Sequence, residues 1–393
     1  MAMKNGILLT PFDHQSRTRI VFGEGSVERT GELAHELGAH RVLLVTDAGI
    51  VSAGHAKRVE DSLKMAGLQV AVFDQVHENP ATHDVERCVA AAREAVCDML
   101  IGLGGGSSMD TAKACNFILT NGGRVQDYWG VAKATKPMLP FLAIPTTAGT
   151  GSECQCAALI ADDKTHQKMA CLDPKAAARI AILDPMLTLS QPLRVTSCTG
   201  IDAIAHAVET SVTRRRNSFS LMYSRESFRL CVKSFQRVLS EPGNVEARGR
   251  MLLGASYAGV AIENSMLGAA HAAANPLTAR FDIVHGQAVG MMLPHVVRFN
   301  AVEEVACANY VELAQAGGVV DRSASSEQAI EALVAALESA VKLAGFPRSL
   351  ADCGVSRGAI PELAGEATRQ WTTAFNPREL TTADFEKLYA AAF

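Results

Sequence analysis

Asp202 and His206 lie four residues apart in the stretch GIDAIAHAVE. On a helix this spacing sets both side chains on one face, about a turn apart. His271 and Asn275 repeat the spacing in GAAHAAANPL, and His285 follows fourteen residues after His271 in VHGQAVG. Three imidazoles and one carboxylate thus emerge from alanine-rich, apolar surroundings. A lone histidine in such surroundings is as readily structural, and Asp202 with His206 could simply pair on a helix surface. Taken together the four point further. A carboxylate on an apolar helix face is costly to bury, and a divalent cation shared with neutral imidazoles removes that cost. Oxygen and nitrogen donors without thiolate suit Fe²⁺ or Zn²⁺, and the residue types do not separate the two. His295, in LPHVVRFN, reads as a core histidine.

A second set of residues suits an anion. Gly104, Gly105 and Gly106, then Ser107, follow the apolar run DMLIGLG and precede a helical pattern expected to start near Met109. Backbone N–H groups at a helix N-terminus, unshielded by side chains, favour a phosphate, although glycine-rich turns also close ordinary strand-to-helix connections. The turn stands at the C-terminal end of an expected parallel strand, where α/β sheets hold their ligands, and it is not the GxGxxG of the common dinucleotide fold. Asp47 ends an earlier strand, RVLLVTD, where a carboxylate could accept from ribose hydroxyls and repel a 2′-phosphate, favouring NAD over NADP; it could equally cap the next helix. PTTAGTGSE brings the Thr146, Thr147 and Thr150 hydroxyls to the same sheet edge, to hold pyrophosphate or ribose or to bond their own loop.

These groups need a scaffold. In the first half, RVLLVTD, LQVAVFD, DMLIGLG, FLAIPTT and IAILDP alternate with helical patterns such as AKRVEDSLKMAGL and HDVERCVAAAREAVC. That order predicts βαβ crossovers and a parallel sheet covered by helices. Beyond Pro192 strand signals fade and alanine-rich helical stretches such as SSEQAIEALVAALESAVKLAG run to the end. The expected organisation is an α/β dinucleotide-binding domain over residues 1–192 and an all-α metal-binding and substrate domain over 193–393, with a ligand cleft between them.

Bulk composition narrows the partners. Of 393 residues 48% are hydrophobic and 20% charged, ample for a large core. A formal charge of −4 gives no field suited to nucleic acid, and the short run Arg214 to Arg216 reads as a solvated helix face. Ten scattered cysteines without a CxxC fit a reducing cytoplasm better than a disulfide framework. No stretch reaches the roughly 18 apolar residues of a membrane span, and the start lacks a leader's apolar core, so neither secretion nor membrane insertion is expected.

GGGSSMDTAK, PTTAGTGSE, GIDAIAHAVE and HAAANPL…HG, in this order and spacing, resemble the motifs of the iron-containing, or group III, alcohol dehydrogenases over essentially the whole chain. The resemblance implies NAD(P)-linked interconversion of alcohols with aldehydes or ketones, with Asp202, His206, His271 and His285 as metal ligands and iron as the first choice of ion, and Asp47 points to NAD. It further implies that Asp47, Asn79, Gly104 to Ser107, Asp110, Thr146, Thr147, Thr150 and Lys168 line the cofactor site, and that the protein associates as a homodimer or higher homo-oligomer. Asn79, in ENPAT, matches a turn near the adenosine, and Lys168 a lysine that reaches the cofactor ribose; from the sequence alone they read as a turn residue and a surface lysine. Many relatives carry histidine where this chain has Asn275, and an amide cannot titrate near neutral pH, so the proton would leave by water, cofactor ribose or another residue. Ala157 and Ile262 suggest a roomier substrate pocket, while Arg280 is expected to pair with Asp282 or a surface acid rather than meet an anionic substrate.

The expected mechanism has the metal polarise the substrate oxygen while hydride passes between its carbon and nicotinamide C4. Two other readings use the same residues: a non-redox relative similar to dehydroquinate synthase, employing NAD and metal for a cyclisation, and a metal-dependent hydrolase without a true nucleotide site. Net NADH formation with simple alcohols separates the first from a dehydrogenase, and NADH protection against unfolding separates the second.

Overall fold

Apolar runs in the first half extend side by side. The computed structural model describes residues 10–165 and 167–393. Its strands are β1 (Arg19–Phe22), β2 (Arg41–Val45), β3 (Gln69–Phe73), β4 (Met99–Gly104), β5 (Gly130–Val131), β6 (Phe141–Pro145), β7 (Ala157–Ala161), β8 (Lys168–Leu172) and β9 (Ile180–Leu183). Six of them form one sheet in the order β1-β9-β6-β4-β2-β3, and every pairing in it is parallel. All residues of β4, β6 and β9 are buried, as in parallel strands covered on both faces.

Helices α1 (Thr30–Glu36), α2 (Ala48–Ser52), α3 (His55–Met65), α4 (Thr82–Glu94) and α5 (Gly106–Asn121) connect these strands. Alternate residues of β2 feed two separate cores. Leu43 and Val45 join Val85, Val89, Met109 and Phe117 from α4 and α5, whereas Val42 and Leu44 join Leu33, Val59 and Leu63 from α1 and α3. The sequence pattern did not mark β1 or the smaller sheet, in which β8 lies between β5 and antiparallel β7. AALIA at β7 is rich in alanine, a helix former, and is extended because β8 pairs with it along its whole length.

Beyond Leu183 the described residues contain no strand. The helices there are α6 (Leu193–Thr210), α7 (Ser218–Ser240), α8 (Val245–Ser265), α9 (Ala269–Phe281), α10 (His285–Asn300), α11 (Glu304–Gly317), α12 (Ser326–Leu343), α13 (Ile360–Thr368) and α14 (Thr382–Ala391). At the start of α12 the Ser325 hydroxyl accepts from Gln328 N while the Gln328 side chain accepts from Ser325 N, a reciprocal cap. The chain forms two compact units: one contains Ser16–Thr199 and Arg237–Gly259, the other Gly200–Gln236 and Val260–Phe393 together with residues 10–15.

Two local expectations are corrected. Helix α5 begins at Gly106, three residues before Met109, with Gly105 as its N-cap and Gly104 still in β4. Arg214 to Arg216 lie in the connection between α6 and α7 rather than on a helix face, and Arg216 Nη1 donates to Thr213 O at 2.9 Å. All ten cysteines are free thiols, and no helix among the described residues is long and apolar enough to cross a membrane.

Candidate metal centre and glycine turn

Helix α6 presents Asp202, His206 and Glu209 along one face, as their spacing of four and three residues requires. His271 is the third residue of α9 and His285 the first of α10, so both imidazoles are set by helix starts. The elements converge on Asp202 Oδ1: His271 Nε2 lies 3.3 Å away, His206 Nε2 3.4 Å and His285 Nε2 4.0 Å. Potential ligand atoms of Asp202, His271 and His285 all lie within 4.8 Å of one another. His206 stands just outside that trio, its ring stacked on that of His271 at 4.8 Å between centroids.

Asp202 is only 6% exposed, yet its Oδ1 has no hydrogen-bond partner, and neither does His271 Nε2. Burial pushes the Asp202 carboxyl up, but the positive potential of His206 and the other two imidazoles outweighs it and holds the group well below the usual carboxylate range. Burial pulls His271 the opposite way, and the Glu209 and Asp202 carboxylates overcome it, pushing the imidazole up to about 9.

In the other unit, β2, β4 and β6 are neighbours, and their C-terminal ends carry the polar turns. Val45 pairs with Gly102, Gly104 pairs with Pro145, and Thr146 N donates to Gly104 O at 2.9 Å. Gly104 has a φ of +143°, and a Cβ there would lie 2.5 Å from Ser108 Oγ and 3.4 Å from Asp47 Oδ2. Part of the reason for glycine is therefore the positive φ and the protein's own neighbouring side chains. A Cβ on Gly105 would meet Thr147 Cγ2 at 3.4 Å, and one on Gly106 would meet Thr150 Cγ2 at 2.9 Å, so the two polar turns touch. Ser108 Oγ and Thr147 Oγ1 are buried without a partner. Gly151, at φ +62°, rests against α8, where a Cβ would come 2.7 Å from Gly259 Cα.

Asp47 caps α2, its Oδ1 accepting from Ile50 N at 3.0 Å, while Oδ2 is the oxygen that faces Gly104. Ser107 lies in the first turn of α5. Asp110 turns to the protein: Oδ1 accepts from Ser152 Oγ at 2.7 Å and Oδ2 from Leu159 N at 3.1 Å. Thr150 Oγ1 accepts from Ser152 N at 3.3 Å. Asn79 is exposed at φ +52°, in the left-handed region that asparagine tolerates. Lys168 opens β8 and is exposed, with its charge close enough to act on Asp110. Asn275, one turn beyond His271, donates from Nδ2 to Gln370 Oε1 at 3.0 Å. Arg280 pairs with the surface acids Glu362 at 2.6 Å and Glu366 at 2.5 Å.

Three functional candidates escaped the sequence reading. Glu209 accepts from His271 Nδ1 at 2.5 Å. Lys113, with no exposed side chain, donates to Ser152 O at 2.6 Å, Ser152 Oγ at 2.8 Å and Ala157 O at 2.9 Å. Glu153 is buried and accepts from Ser256 Oγ at 2.5 Å. The i, i+3 steps from His206 to Glu209 and from Asp110 to Lys113 were the available signals, since both steps share a helix face. A further His77, His83 and Asp84 group is not a comparable centre. Its histidines are exposed, the Arg87 guanidinium stands 3.9 Å from Asp84 Oδ1, and Asp84 Oδ2 is occupied by Ala81 N at the start of α4.

Residues 17–185 match the model of the iron-containing alcohol dehydrogenases, and residues 196–393 match the C-terminal model of the same family. The chain belongs to the iron-containing alcohol dehydrogenase family. It is 34% identical to the NAD-dependent methanol dehydrogenase of Bacillus methanolicus over 94% of this chain and 96% of that one. Among solved structures it resembles a 1,3-propanediol oxidoreductase at 30% identity and TM-score 0.94, covering 98% of this chain and 100% of that one. A second is the sulfoacetaldehyde reductase of Bifidobacterium kashiwanohense in complex with NAD⁺, at 28% identity and TM-score 0.87, covering 98% and 99%. The chain's own residues fit the cation that the family's name implies. Two buried polar atoms, Asp202 Oδ1 and His271 Nε2, face each other without a hydrogen bond, and the surrounding donors are oxygen and nitrogen.

Proposed function

We propose that this alcohol dehydrogenase exchanges hydride between NAD(H) and a small alcohol–carbonyl pair, with one divalent cation held by Asp202, His206, His271 and His285. The observation that carries the reading is Asp202 Oδ1, buried without a hydrogen-bond partner and approached by three imidazole nitrogens at 3.3, 3.4 and 4.0 Å. A carboxylate so placed is costly unless a cation accompanies it. Iron is the first candidate, from the family's name, and zinc suits the same donors. NAD is inferred from the NAD-dependent and NAD⁺-bound relatives.

In this reading the backbone of Gly104, Gly105, Gly106 and Ser107 receives the pyrophosphate at the start of α5. The Thr146, Thr147 and Thr150 hydroxyls stand beside it. Asp47 accepts from the ribose and repels a 2′-phosphate, Asn79 adjoins the adenosine, and Lys168 reaches the cofactor ribose. Asp110 serves the cofactor indirectly, by tying Ser152 and Leu159 to α5. When bound, the cation supplies Lewis acidity toward a substrate oxygen and the dinucleotide supplies the redox chemistry. The Asn275 amide orients and does not take up a proton, so the proton passes to water, ribose or another side chain. The enzyme acts on small alcohols or aldehydes, in the cytoplasm, as a homodimer or larger homo-oligomer.

Metal analysis of the purified protein, combined with NADH oxidation across small neutral, hydroxylated and anionic aldehydes, tests the reading. Asp202→Ala and His271→Ala should each lose metal and turnover together. Full metal content and full turnover in either variant would overturn it.

A further inference from the structure

We propose that Glu209 is a positioning residue of the metal centre: its one carboxylate fixes both the start of α9 and the tautomer of His271, leaving Nε2 free to bind the cation. The inference rests on the reading of His271 as a metal ligand. Glu209 is 2% exposed and follows Asp202 and His206 along the same face of α6. Its Oε2 lies 2.5 Å from His271 Nδ1, and its Oε1 accepts from Ala270 N at 2.7 Å.

Helix α9 has no side-chain cap of its own, since its N-cap is Gly268, and its first turn carries no acidic residue. The exposed N–H donors of a helix start must be satisfied from elsewhere. Glu209 takes that of Ala270, and Asn376 Oδ1 takes that of Ala269 at 3.3 Å. The fit is close: a Cβ on Gly268 would lie 3.0 Å from Asn376 Oδ1 and 3.2 Å from Glu209 Oε1. The backbone of His271, in this same first turn, is therefore placed by the group that orients its ring.

An ionised carboxylate only accepts, so the proton of a neutral His271 sits on Nδ1 and the lone pair on Nε2. Nε2 is the buried atom that lacks a protein partner. A carboxylate behind a ligating imidazole also raises its basicity. Charge balance agrees: a dication with three neutral imidazoles, Asp202 and Glu209 sums to zero in a buried site.

The test uses the full chain, stripped of metal and reloaded with Zn²⁺ in competition with a chromophoric chelator. Glu209→Gln should bind zinc about 10- to 100-fold more weakly, whereas Asn376→Ala, which removes the cap at Ala269 and the bonds to Asn300 and Arg378 O but leaves Glu209 on His271 and Ala270, should bind as the unmutated chain does. In a His271→Ala background, read at zinc concentrations high enough to measure the weakened residual binding by the other three ligands, Glu209→Gln should have no further effect. Affinity within about threefold of the unmutated chain, or an equal loss with and without His271, would overturn the proposal. Should Glu209→Gln not fold, the histidine ¹⁵N spectrum of the unmutated zinc-loaded protein decides: a proton on His271 Nδ1 supports the inference, and one on Nε2 refutes it. If the unmutated chain binds no zinc, the metal reading itself fails; tight zinc binding that Glu209→Gln leaves intact sinks the Glu209 role alone.

Discussion

Lys113→Met removes a buried ammonium while keeping the length and packing of the side chain. Three acceptors lose their donor: Ser152 O, Ser152 Oγ and Ala157 O, at 2.6, 2.8 and 2.9 Å. Hydrogen bonds to a charged group contribute roughly 1.5–3 kcal/mol each, a gross loss of about 4.5–9 kcal/mol. Relief of the ammonium's desolvation returns several kcal/mol, which leaves a net cost of about 3–5 kcal/mol, the range for breaking a buried ionic group away from its partners. Asp110, 3.9 Å from the ammonium, then becomes a buried carboxylate with only its hydrogen bonds and the weaker influence of Lys168 to oppose its burial. Burial already raises its pKa and Lys113 is the strongest opposing influence, so the variant should shift it further up. Asp110→Asn in the Lys113→Met background should recover part of the loss.

The assay is urea unfolding of chelator-treated protein, with hydrogen exchange read separately over residues 150–159 so that the effect is located even if unfolding has several steps. NADH affinity should fall with it, because Ser152 and Thr150 share one loop and Ser152 N donates to Thr150 Oγ1. A change in stability below about 1 kcal/mol, with unchanged exchange over that loop, would refute the reasoning.

Asp47→Gly should relax a strong preference for NAD over NADP, measured as the ratio of kcat/KM, while stability falls by only a few tenths of a kcal/mol, since glycine is a tolerable N-cap; equal use of both cofactors by the unmutated enzyme would defeat the assignment. Asn275→His should alter the pH dependence of turnover more than cofactor affinity, and an unchanged pH profile would place Asn275 away from proton transfer. Burial, with Cys115 and Asp98 adding to it, pushes the Cys97 thiol from 9.0 to about 11. At pH 8 the thiolate fraction is then about a hundredfold below that of an unperturbed thiol, and alkylation by iodoacetamide, followed by peptide mass analysis, should be correspondingly slow and should quicken as pH rises toward 11.

Much of the scaffold could be read directly. RVLLVTD, LQVAVFD, DMLIGLG, FLAIPTT and IAILDP each contain a strand of the six-stranded sheet; continuous apolar runs are what burial on both faces demands of β4, β6 and β9, whereas β3 lies at the sheet edge with only Phe73 buried. β7 escaped notice because its extended form comes from pairing with β8, which its alanine-rich composition does not announce. Asp47 offered two readings, and the structure assigns one oxygen to capping α2 while the other faces Gly104.

Local spacing determined the chemistry on offer: Asp202 and His206 share a helix face because four residues make about one turn, and that follows from the chain alone. Only the folded chain decided that α6, α9 and α10 meet at Asp202 Oδ1. Glu209 and His271 are 62 residues apart in sequence, and nothing in the periodicity of either helix specifies their contact. Periodicity states which face a residue occupies; the packing of distant elements, driven by burial of apolar area, states what that face meets.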